Sequence, residues 1–137
     1  LAADGHGLIT WVAVRQGSST EVRGRLLATN GRPTGRDFLI SERVFDRGLG
    51  VTTLGDGDFA VATSEASPGQ AIVARHISAD GAIGQPLLLA DTSPGQSLVA
   101  VQITAAENDG ALLTWARSLG TFPLLQSSVE ARGLKLP

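Results

Sequence analysis

The sequence predicts an all-β, propeller-like fold of about three four-stranded blades, and three observations predict it. The first is a repeat. Asp4-Gly5-His6-Gly7-Leu8-Ile9-Thr10-Trp11 aligns with Asp56-Gly57-Asp58-Phe59-Ala60-Val61-Ala62-Thr63, and both align with Asn108-Asp109-Gly110-Ala111-Leu112-Leu113-Thr114-Trp115, at a step of 52 residues. Periods of this size belong to propellers, solenoids or arrays, whose units bury their faces only against neighbours. The second is another block behind the first, of the form [VI]-x-[GA]-Arg-x-[LI] in three copies: Val22-Arg23-Gly24-Arg25-Leu26-Leu27, Ile72-Val73-Ala74-Arg75-His76-Ile77 and Val129-Glu130-Ala131-Arg132-Gly133-Leu134. The third is composition. Gly 17, Pro 6 and 18% charged residues describe short strands and many turns, and no segment carries a sustained helical period with caps.

Each blade reads as four strands in order. An apolar opening strand is clear at Leu49–Leu54 and Val99–Thr104. After an Asp-Gly turn comes the second strand, which holds Ile9, Val61 and Leu113. The arginine strand follows, and then Thr29-Asn30-Gly31 or Ala79-Asp80-Gly81. Asn-Gly and Asp-Gly are strong hairpin signals because they suit turns with positive φ. A last short run closes the unit, Asp37–Ser41 in one copy and Pro86–Ala90 in another. Four strands per roughly 50 residues is a blade layout, with blades at about 1–47, 48–97 and 98–137 of a single segment.

The second strands are apolar on both faces. Ile9 with Trp11, Phe59 with Val61, and Leu113 with Trp115 share the bulky side by period-two alternation. Leu8, Thr10 and Val12, then Ala60 and Ala62, then Leu112, Thr114 and Ala116 share the smaller side. That suits sheets stacked face to face around an axis better than a two-sheet sandwich, which keeps a polar outer side. In the 52-residue frame Leu1 corresponds to Thr53, so the first blade lacks its opening strand, and the third stops before its closing strand. The segment is therefore expected to be incomplete at both ends and to be completed by additional blades, from the same polypeptide or from a second chain. Two chains would give a ring of about six blades, inside the usual range of four to eight.

Other features narrow the field. A net charge of −2 and a pI near 5.6 give no basic footprint for nucleic acid. No apolar run approaches a membrane span. The chain has no cysteine, so it has neither disulfides nor thiolate metal sites. Lys135 is the sole lysine, which fits a GC-rich genome. No initiating methionine or signal peptide is present, so either one was removed or the chain is part of something longer.

These residues are similar to the roughly 50-residue β-propeller repeats of large secreted or surface bacterial proteins, in which an apolar strand, Asp-Gly, a strand ending in Trp, an Ala-Arg strand and a second Asp-Gly succeed one another. Asp4-Gly5 with Trp11, Asp56-Gly57, and Ala74-Arg75 with Asp80-Gly81 carry the likeness, and Thr63 departs from it. The resemblance implies the fold and a secreted or cell-surface location in a bacterium. It carries no catalytic residue across.

Few residues could carry chemistry, and none is assigned as catalytic or as a cofactor ligand. His6 falls in a turn and His76 in a strand, with no third group beside them. Asp56 and Asp58 resemble part of a calcium loop, but calcium takes six to eight oxygens and the second acid is not repeated, so turn chemistry is preferred. Arg25, Arg75 and Arg132 recur in every copy, which favours a structural arginine reaching the next blade over a ring presented to an anion. Trp11 and Trp115 are candidate ligand contacts for sugar stacking, against burial between blades as the ordinary alternative. The main departure from the repeat is the segment between Trp115 and Arg132, which are 17 residues apart where the other copies have 14 and 12. Its apolar residues Leu119, Phe122, Pro123, Leu124 and Leu125 form a candidate partner-contact loop; the alternative is that they fold over the blade. The reading is a non-catalytic interaction or structural module that binds a protein or glycan through its loops. The alternative is a scaffold domain of an exported hydrolase whose catalytic groups lie outside this chain.

Overall fold

A computed structural model of the chain describes residues 1–2, 4–14, 20–67, 69–94, 96–107, 110–119 and 126–135. Its strands are β1 (Gly7–Val14), β2 (Thr20–Leu27), β3 (Pro33–Glu42), β4 (Val44–Thr53), β5 (Phe59–Ser67), β6 (Gly69–Ile77), β7 (Leu87–Asp91), β8 (Gln96–Ala106), β9 (Gly110–Leu119) and β10 (Gln126–Lys135). They form three antiparallel meanders in chain order: β1-β2-β3, then β4-β5-β6-β7, then β8-β9-β10. The all-β expectation is met, and no helix occurs among the described residues. Among the described residues only the second sheet has four strands. Among the described residues the first has no counterpart of β4 and β8, the third none of β7, and the three sheets do not close into a ring.

Four turns share one geometry, Ala2–His6 ahead of β1 and, between paired strands, Ala28–Arg32, Leu54–Asp58 and Ser78–Ala82. In each, the first N–H donates to the fifth carbonyl at 2.7 to 2.9 Å and the glycine N–H donates back to the first carbonyl at 2.8 to 3.2 Å. The side chain of Asp4, Asn30, Asp56 or Asp80 accepts the N–H two residues on, at 3.0 to 3.2 Å. The following glycine sits at φ between 76° and 93°, where a Cβ is disfavoured. The Asp or Asn residues are not at positive φ. The turn is therefore a type I turn closed by a left-handed glycine, the common three-residue hairpin loop. The side-chain acceptor explains why an acid or amide precedes each glycine.

The repeat alignment appears in the strand register. Ile9 lies opposite Arg25, Val61 opposite Arg75 and Leu113 opposite Arg132. The bulky and small faces are then used in series. Phe59, Val61 and Ile77 of the second sheet pack on Val22 and Ile40 of the first, with Leu8, Val12, Leu26 and Phe38 around them. The second sheet's opposite face, with Ala62, Ile72, Ala74 and Leu89, receives Leu98, Leu113, Trp115 and Leu134 of the third. At each junction the later sheet contributes its bulky face and the earlier sheet its smaller one. β4 and β8 also come close at Gly50, where an added Cβ would lie 3.1 Å from the Ile103 backbone nitrogen. Glycine there is a requirement of close approach. Of the second strands β1, β5 and β9, burial on both faces holds for β5 alone among the described residues. Ile9 remains 47% exposed on the first sheet and Leu112 41% on the third, because no sheet of this chain lies beyond either.

Candidate functional site

The repeated arginines are placed by register on the bulky face of each sheet. Arg132 donates from Nη1 to the Leu89 carbonyl of β7 at 3.1 Å, crossing from the third sheet to the second. Arg117 makes the same crossing to the Asp91 carbonyl at 3.0 Å. Arg75 pairs with Glu65 in its own sheet, and Glu65 accepts from Thr63 at 2.8 Å and from Ser41 of the first sheet. Burial pushes the Glu65 carboxyl up, but hydrogen bonds from Arg75, Ser41 and Thr63 together outweigh it and hold the group below the usual glutamate range. Arg25 donates from Nη2 only to the Gly35 carbonyl of its own sheet, and its Nε is buried without a partner. Arg132 thus crosses between sheets directly, Arg75 does so only through Glu65 to Ser41, Arg25 stays within its own sheet, and the structure does not bring the three arginines together around a common ligand.

The tryptophans diverge. Trp115 is 5% exposed within the core between the second and third sheets, and its indole N–H donates to Glu130 at 3.0 Å. Glu130 is held below the ordinary carboxylate range by its hydrogen bond from Arg117. The enclosed ring offers no face to a sugar. Trp11 occupies the corresponding position on the open face of the first sheet and is half-buried. Of the apolar loop, Leu119 ends β9 and is exposed. Phe122, Pro123, Leu124 and Leu125 lie outside the described residues.

His76 on β6 meets Asp58 across the β5–β6 hairpin, with Nε2 to Oδ2 at 2.7 Å, while the other Asp58 oxygen accepts the Ala79 N–H at 2.8 Å. Asp56 stands beside them, and one ligand atom from each of Asp56, Asp58 and His76 falls within 4.8 Å of the others. The sequence pairs Asp58 with Asp56 and gives no sign of His76; the register Ala60 opposite His76 is the signal that finds it. Two carboxylates and an imidazole supply few of the six to eight oxygens calcium takes. Asp56 is committed to its turn and Asp58 to two donors, so the cluster acts as a clamp tying the Leu54–Asp58 turn to the Ser78–Ala82 turn.

A cleft of about 480 Å³ lies where the second and third sheets meet. Phe45 of β4, Gln70 of β6, Thr92 and Ser93 of the β7–β8 connection, and Gln96 and Ser97 of β8 line it. Its walls are braced by internal bonds. Gln70 Oε1 accepts the Leu98 N–H at 2.6 Å, Thr92 Oγ1 accepts the Gln70 N–H at 2.9 Å, and Gln96 Oε1 accepts from Arg117 at 2.8 Å. Among the described residues no formal charge lines it; hydroxyls, amides, the Phe45 ring and the Pro94 ring do. The sequence shows Ser-Pro-Gly-Gln twice, at 67–70 and 93–96, and the fold brings both glutamines to this one cleft. That shared tetrapeptide is the available signal, and Phe45 has none. No protein-family model, curated protein or solved structure matches the chain.

Proposed function

We propose that this chain is a non-catalytic interaction module, a run of consecutive blades of a β-propeller that binds its ligand in the loops at one end of the stack. The observation that carries the reading is the cleft of Phe45, Gln70, Thr92, Ser93, Gln96 and Ser97. Its size falls in the range of small-ligand sites, ~300–1,000 Å³, and its make-up, one apolar platform with several neutral hydrogen-bonding groups, follows their usual pattern. Such a lining suits a neutral, hydroxyl-rich ligand: a ring edge packs on Phe45 while amides and hydroxyls exchange hydrogen bonds with it. A glycan has that chemistry, and a protein loop is the other class of partner. Nearby charges are engaged in internal pairs such as Arg117 with Glu130, so they stiffen the walls and leave the cleft neutral. Serial burial of bulky on smaller faces supports the blade reading, and further sheets of the same kind would extend the stack. The resemblance of the repeat supports a secreted or cell-surface setting in a bacterium.

Binding to an array of neutral and acidic glycans tests the proposal. Phe45→Ala should weaken capture of the bound glycan roughly tenfold, the equivalent of ~1.4 kcal/mol, in protein that an unfolding curve shows to be folded at the binding temperature. Binding that survives Phe45→Ala moves the ligand elsewhere. No glycan binding at all removes the glycan and leaves a protein partner.

A further inference from the structure

The two end sheets expose opposite halves of an interface that the chain itself builds twice. On the first sheet the unpartnered face is the bulky one, with Ile9, Trp11 and Leu39 beside Arg25. On the third sheet it is the smaller one, with Leu112, Thr114, Ala116, Val129 and Ala131, and the strand positions sharing that face are uncharged from Val99 through Gly133. Val129 is 81% exposed there. At both internal junctions a bulky face of the later sheet meets a smaller face of the earlier one. The face of the first sheet is equivalent to the one that the second and third sheets each bury. The face of the third sheet is equivalent to the one that the first and second sheets each cover.

A second observation points the same way. Arg25 Nε is buried without a hydrogen-bond partner, an uncommon and costly state for a charged donor group. The equivalent Arg132 spends its guanidinium on a carbonyl of the sheet packed against it. Arg25 has no such sheet within the chain and folds back to Gly35. Its neighbour Arg23 is neutralised by Glu21 and Asp37, so among the described residues the face is apolar or paired apart from the Arg25 Nε–H.

We propose that the first sheet's outer face docks the third sheet's outer face of a second copy of this chain, head to tail, continuing the internal stacking. The interface is heterologous, so it either closes into a ring or extends. Two copies provide six sheets, a number that fits a ring of the usual size. In the docked state Arg25 faces backbone of the incoming sheet, and Ile9 and Trp11 cover Leu112 and its neighbours. The proposal rests on the stacked-blade reading above and is independent of the cleft.

Light scattering after size exclusion on three proteins tests it. The unaltered chain should show a mass above 14.1 kDa that rises with concentration. Ile9→Asp and Leu112→Asp should each run as folded monomers, since both residues sit on open faces and their replacement leaves the buried core intact. The two variants mixed in equal amounts should recover a dimer of twice 14.1 kDa and nothing larger, because each retains the face the other has lost. Val129→Lys, on the same face as Leu112, should behave as Leu112→Asp does and guards against a folding defect in that variant. Trp11 emission should shift to the blue on mixing. Loss of association in only one of the two variants would mean like faces pair, and a mixture that stays monomeric or an unaltered chain that is monomeric throughout overturns the proposal. A monomer that still binds glycan at Phe45 would overturn this docking alone and leave the proposed function standing.

Discussion

Leu112 and Leu113 are neighbours on β9 with identical side chains on opposite faces, so truncating each in turn isolates the effect of the fold. Leu113 is 0% exposed, in the cluster with Ile72, Leu98 and Trp115. Leu113→Ala removes three heavy atoms from the centre of a sheet-to-sheet junction and leaves a cavity whose walls are held by two hydrogen-bonded sheets. Leucine-to-alanine changes in such settings cost ~2–5 kcal/mol, a large part of the ~5–15 kcal/mol of a typical domain. Leu112 already has 41% of its surface in water, and its truncation in the dilute chain should cost about 0.5 kcal/mol or less, as for other open surface sites. Urea unfolding followed by tryptophan fluorescence measures both, and Trp115, packed against Leu113, reports the junction directly. The expected difference between the variants is about 2 kcal/mol or more, with unchanged denaturant slope. Equal costs, or the larger cost at Leu112 in dilute protein, would refute the assignment of faces. A Leu112→Ala cost that grows with protein concentration would show that face being covered by association.

Two further outcomes follow from local chemistry. The folded Glu65 carboxyl lies below its ordinary value of 4.5, so the folded state favours the carboxylate. Its contribution to stability is present above about pH 4.5 and is lost as pH falls through the lower folded value; Glu65→Gln should therefore flatten the acid limb of a thermal-stability profile, and an unchanged limb would place the acid sensitivity elsewhere. Gly57 and Gly50 should fail for different reasons. Gly57→Ala meets no atom within 4 Å but holds φ +93°, a strain of ~1–2 kcal/mol, whereas Gly50→Val drives a side chain against the Ile103 backbone and should cost ~1–3 kcal/mol by overpacking. Thermal scans on both variants check this, and a Gly57→Ala protein as stable as the parent would remove the positive-φ requirement.

The architecture is legible because the repeat acts on backbone and face together. Asp-Gly at a fixed step locates turns, alternation beside it assigns faces, and the 52-residue frame supplies which strands correspond. That frame alone aligns Ile9, Val61 and Leu113; the arginines, unevenly spaced in sequence, are aligned by their own block, and the strands pair in the same register. What a repeat cannot supply is contact between residues that differ from copy to copy. Asp58 and His76 meet because a hairpin register juxtaposes them, yet the first repeat has His6 where the second has Asp58, so no repeated pair flags the clamp. The cleft is less legible still. Phe45 precedes the repeat's recognisable opening strand, and the two Ser-Pro-Gly-Gln loops read only as turn chemistry until β6 and β8 are set side by side.

The repeat also divides structural positions from functional ones. A residue kept at one register position in every sheet is constrained by what every sheet must do, which is pack against the next. Arg132 and Trp115 meet that demand fully, one through the Leu89 carbonyl and one inside the core. Arg25 and Trp11 hold the same positions with no neighbour to use them. The docking proposed above would supply both with a packing partner. Groups that differ from sheet to sheet are free of that shared packing demand. Phe45, Thr92 and Ser93 are of that kind. Phe45 has no equivalent on the first sheet, where the counterpart of β4 is absent among the described residues, and Thr92 and Ser93 follow β7 where Arg43 and Val44 follow the equivalent β3. If both assignments hold, Ile9→Asp alters assembly and spares glycan capture, while Phe45→Ala does the reverse. One variant changing both would mean that the cleft forms only in the assembled stack.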